Sequence, residues 1–117
     1  MGQTADITGY GVIRAYGAFA ESGLVDATPA SGSTLTLADH ASPVFINTAS
    51  PLASLTIVMP PTPVHGQEQT IIFRSAVTAL AITGNTGQTI LTAPLSASAN
   101  QVLSYIYRST QAIWLPR

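Results

Sequence analysis

The chain has 117 residues, 8% charged and 46% hydrophobic, with a net charge of −1, a mean hydropathy of +0.34 and no cysteine. That length suits one small domain, and a charge content far below the roughly 25% of ordinary globular chains excludes disorder by self-repulsion. Four scattered arginines in a near-neutral chain argue against a nucleic-acid partner, and the lack of cysteine removes disulfides, thiolate zinc sites and cysteine nucleophiles together.

Residues 1–32 are rich in Gly and Ala, with Gly9, Gly11, Gly17 and Gly23, and hold only two apolar runs, around Ile13 and at Leu24-Val25. Met1 to Gly11 lacks the basic start and apolar core of a signal peptide, and no stretch approaches the roughly 18 apolar residues of a membrane span. The expectation is synthesis in a cytoplasm with no membrane partner. Ala15 to Val25 is the one candidate helix, and Gly17 and Gly23 interrupt it. A segment of this composition is expected to be an arm that orders on a partner, or an edge strand over Tyr10 to Tyr16.

From residue 33 onward the pattern is strand after strand. Ser33 to Leu37 places Leu35 and Leu37 on one face, and Pro43 to Asn47 is a short apolar run between turn formers. Leu52 to Met59 alternates Leu55, Ile57 and Met59 against Ser54, Thr56 and Val58, until Pro60-Pro61-Thr62-Pro63 stops it. Gln67 to Arg74 sets Ile71 and Phe73 against Thr70, Ile72 and Arg74. Val77 to Thr83 ends at Gly84-Asn85-Thr86-Gly87, which reads as a hairpin turn. Thr89 to Thr92, Gln101 to Arg108 and Gln111 to Leu115 complete about eight strands. Their spacing predicts an all-β fold, a single jelly-roll-like β-sandwich over 33–117 with residues 1–32 as an arm or edge strand. Leu55-Thr56-Ile57 echoes Leu80-Ala81-Ile82, but the elements after each are unequally spaced, so the echo reads as hairpin composition and not as a repeat.

Candidate chemistry is thin. Asp39 and His40 are adjacent and would point to opposite faces of a strand, which suits a turn better than a hydrogen-bonded dyad. His65 and Glu68 have metal-ligand spacing only on a helix, and they follow prolines in a loop with no third ligand nearby. No serine lies in a G-x-S-x-G elbow, and the acids Asp6, Glu21, Asp26, Asp39 and Glu68 fall in irregular or loop segments, a poor basis for a rigid pair. The expectation is a protein without catalytic residues, metal or cofactor.

Two features remain. Tyr105, Tyr107 and Trp114 lie close together across a probable hairpin; on an open sheet they would stack on a sugar, although core packing is the commoner fate of such a trio. Near-zero net charge with positive hydropathy also raises a solubility problem. It is met by burial against other chains, as a dimer or trimer or on a partner, or by the hydrated surface that 15 Thr and 11 Ser supply.

The ordered series Leu55-Thr-Ile-Val-Met59, Pro60-Pro61, Gly66-Gln67, Gln69-Thr-Ile-Ile-Phe-Arg74, Val77-Thr-Ala-Leu-Ala-Ile-Thr-Gly84-Asn85, Gln88-Thr-Ile90, Ala93-Pro94 and Tyr105-Ile-Tyr-Arg108 with Trp114 resembles a β-domain of tailed-phage virion proteins. That domain recurs in head decoration (cement) proteins and in tail-fibre modules, and the likeness covers about two thirds of the chain, Leu35 to Trp114. The resemblance implies a non-enzymatic structural protein on the capsid exterior. With no heptads and no shaft, the chain looks more like a cement protein bridging capsomers, its partner the phage major capsid protein. Tyr10, Ile13, Tyr16 and Phe19 of the arm would then make the contacts. The alternative is a fibre module that binds a receptor or glycan through Tyr105, Tyr107 and Trp114.

Overall fold

A computed structural model describes residues 24–117. The described residues form nine strands and no helix: β1 (Val25–Ala27), β2 (Thr34–Thr36), β3 (Val44–Ile46), β4 (Leu52–Val58), β5 (Glu68–Phe73), β6 (Val77–Thr83), β7 (Thr89–Ile90), β8 (Val102–Arg108) and β9 (Ile113–Pro116). The alternation that predicts β4 is kept in space. Leu55, Ile57 and Met59 are buried, while Ser54, Thr56 and Val58 stay half-buried on the outer face. The same holds in β5, where Ile71 and Phe73 point in and Thr70 and Ile72 point out.

The strands form a six-stranded sheet in the order β1-β3-β5-β8-β9-β7 and a three-stranded sheet in the order β2-β4-β6. From β1 to β6 the chain passes from one sheet to the other at every step. Each return lays a strand parallel beside its predecessor, β1 on β3 on β5 and β2 on β4 on β6. The result is a solenoid-like stack of three turns. β8 then runs antiparallel to β5, β9 antiparallel to β8, and β7 parallel to β9 at the far edge.

This corrects the expected form of the fold while keeping its class. The protein is all-β, but a jelly roll is built from antiparallel neighbours and this stack is not. Gly84 to Gly87 likewise joins β6 to β7 across two sheets and closes no hairpin. The physical reason is common to both. Alternation reports which side of a strand is buried, and that is the same for a parallel and an antiparallel neighbour. The packed structure also begins before residue 33: Val25 to Ala27 pairs with Val44 to Ile46 and is the edge strand among the described residues.

Inward residues stack in ladders between the sheets. Val44 lies beside Ile71 and Ile46 beside Phe73 in one sheet; Leu55 lies beside Leu80 and Ile57 beside Ile82 in the other. All belong to one core, with Tyr105, Tyr107 and Trp114 closing it from β8 and β9. Each fully buried aliphatic side chain contributes roughly 1.5–3 kcal/mol relative to exposure.

Candidate docking surfaces

The aromatic trio is brought together, but inside the molecule. Trp114 and Tyr105 are almost fully buried, and the Tyr107 and Trp114 rings pack with centroids 5.0 Å apart at 50°. The Trp114 indole N–H donates to Gln88 Oε1 at 2.8 Å, and the Tyr105 hydroxyl donates to the Thr92 carbonyl at 3.3 Å. Burial pushes the Tyr105 phenol above its ordinary pKa. Rings enclosed in this way offer no face to a sugar, so the glycan surface expected of Tyr105, Tyr107 and Trp114 is not presented.

The candidate acid–base and metal residues are also separated by their partners. Asp39 sits in a turn, where it accepts from the Thr62 hydroxyl and, at 2.9 Å, from the Thr62 backbone N–H. Both bonds hold its carboxyl below the usual range. His65 turns toward the β8–β9 connection, where its Nδ1 accepts the Ser109 N–H at 3.1 Å and lies 3.2 Å from the Ser109 hydroxyl. These contacts clasp two loops together. Glu68 faces elsewhere, bonded to Arg117 at 2.7 Å. Among the described residues no three His, Cys, Asp or Glu side chains are grouped to hold a metal.

What the fold does present is two sheet faces and an open end. The outer face of the three-stranded sheet is uncharged and small: Thr34, Thr56 and Ala81 form one row, and Thr36, Val58 and Thr83 another. The outer face of the six-stranded sheet carries two apolar groups on either side of Thr70 and Ser104. Phe45, Ile72 and Val102 make one row across β3, β5 and β8, and Ile106 and Leu115 make a second across β8 and β9. A hollow of about 180 Å³ opens beside that second row, between His65, Gly66 and Arg108. Sequence reasoning missed this face. Its signal was the run Ile71-Ile72-Phe73, which puts apolar side chains on both sides of one strand.

The open end is the β1–β2 turn of the stack. Val25 occupies an inward position above Val44 and Ile71, which are 1% and 0% exposed, yet Val25 itself is 40% exposed. No described strand lies beyond β1 or β2. Tyr10, Ile13, Tyr16 and Phe19, the expected arm contacts, lie outside the described residues, as does nearly all of the candidate helix. Comparison with protein-family models, with curated proteins and with solved structures finds no match to this chain.

Proposed function

We propose that this chain is a non-enzymatic structural protein of a phage head, a cement protein that docks on the exterior of the assembled lattice and bridges neighbouring capsomers. The observation that supports this reading best is the open end of the stack. Val25 at an inward position with 40% exposure, Leu24 beside it at 57%, and two strands with no neighbour on one side among the described residues form a template for strand addition. The partner is the major capsid protein, and Tyr10, Ile13, Tyr16 and Phe19, just upstream of Leu24, supply further apolar contacts to it.

A protein that binds only the mature lattice stabilises it by mass action at every occupied site, which is the physical service a cement protein performs. The test is its copy number in purified particles, measured by quantitative mass spectrometry against the major capsid protein. Copies near parity are expected; absence from particles overturns the virion reading, and a few copies per particle move it to a fibre or tail attachment. Deletion of residues 2–20 should abolish decoration and leave the two sheets folded. Normal occupancy by the truncated protein would remove the arm from the reading.

A further inference from the structure

The outer face of the six-stranded sheet is a second surface, independent of the open end. We infer that it is a self-association face, and that its occupant is the same face of a second copy of this chain. Four observations carry this. Apolar side chains form two groups on either side of Thr70 and Ser104: Phe45, Ile72, Ile106 and Leu115 are half-buried and Val102 is 55% exposed. Apolar patches interspersed with polar groups are common in protein interfaces.

The polar groups within the face are already satisfied by one another. The Thr70 and Ser104 hydroxyls are 3.2 Å apart, and Glu68 is bonded to Arg117. Covering them keeps these contacts and so lowers, without removing, the usual penalty for burying a polar group.

The charges around this face are of mixed sign, with Asp26 against Arg74 and Arg108 beside the Glu68–Arg117 pair. A strongly acidic or basic partner finds no complementary field there, whereas a copy of the same face meets both signs. Isologous pairing also gives the hollow beside Ile106 and Leu115 an occupant, since Val102 is the most exposed apolar side chain on the face.

The experiment is sedimentation equilibrium of the full chain, at about 1 to 100 µM, with Val102→Asp, Leu115→Asp and, on the opposite sheet, Ala79→Asp. Thermal melts establish that each variant is folded. The expected result is a wild-type dimer, a dissociation constant raised at least tenfold by Val102→Asp and by Leu115→Asp, and no change for Ala79→Asp. A monomeric wild-type protein overturns the inference, as does unaltered association of the two face variants or equal disruption by Ala79→Asp. None of these outcomes depends on particle decoration, so the inference and the virion reading fail separately.

Discussion

At the scale of single residues, the most connected side chain among the described residues is the Gln88 amide. Its Oε1 accepts from the Trp114 indole at 2.8 Å and from the Asn85 N–H at 3.0 Å, while its Nε2 donates to the Pro60 carbonyl at 2.9 Å. It ties the end of β4, the turn after β6 and the closing strand β9 at one point. Gly84 must be small for this to happen, because a Cβ there would lie 2.8 Å from the Gln88 backbone. Gln88→Ala strands the buried indole N–H and should cost about 1–3 kcal/mol in urea unfolding, with an unchanged m-value. A loss under about 0.5 kcal/mol, the range of ordinary surface substitutions, would show that the clamp is ornamental.

Asp39 gives a residue-scale prediction in pH. Its carboxyl titrates lower in the folded protein because Thr62 donates to it twice. A folded pKa below the unfolded one contributes stability that is fully present above the unfolded value and lost as pH falls through the folded value. Melting temperature should therefore fall on acidification through and below the ordinary carboxylate range. Asp39→Ala, less stable at neutral pH, should show a smaller acid decrement; parallel slopes for the two proteins would contradict the assignment.

At the scale of elements, the two faces of β4 make the sharpest contrast. Ile57 is fully buried and its neighbour Val58 faces outward beside Thr36 and Thr83. Ile57→Asp places an unpaired charge in the core and should leave the chain unfolded, whereas Val58→Asp should stay within about 1 kcal/mol of wild type. A soluble, cooperative melt from Ile57→Asp would overturn the burial pattern. That pattern was legible in the sequence, strand by strand, because side-chain alternation is a local property. Pairing was not. Leu55-Thr56-Ile57 and Leu80-Ala81-Ile82, whose likeness reads as hairpin composition, are direct parallel neighbours with Leu55 beside Leu80 and Ile57 beside Ile82. Unequal connections hide the repeat: β2 reaches β3 by a shorter path than β4 reaches β5. β1 escaped notice for a different reason, being three residues long with Asp26 at its centre. The candidate sites divide in the same way. Clustering of Tyr105, Tyr107 and Trp114 was visible from a hairpin, but which side of the sheet they faced depended on the partner sheet, a non-local fact.

At the scale of the whole molecule, stacking makes stability graded along one direction, because each turn is supported by the turns on either side. β4 and β5 have strands on both flanks, and the outer edge of β6 is shielded by the segment at Leu95 to Ala97, through Val77 and Ala97 and through the Leu80 N–H on the Leu95 carbonyl. β1 and β2, three residues each, are supported on one flank only among the described residues. Local opening should therefore begin at the β1–β2 end and reach β4 and β5 only with global unfolding. In native-state hydrogen exchange of the free protein, amides of Val25–Ala27 and Thr34–Thr36 should exchange well before those at the centres of β4 and β5. The docking proposal adds a second comparison. On decorated particles the β1 and β2 amides should slow markedly, since a strand added at the open end gives that turn its missing flank, while β4 and β5 have little left to gain. Equal protection of β1 and β4 in the free protein would mean that the end of the stack is already covered. Unchanged exchange of β1 and β2 on particles would place the lattice contact elsewhere on the molecule.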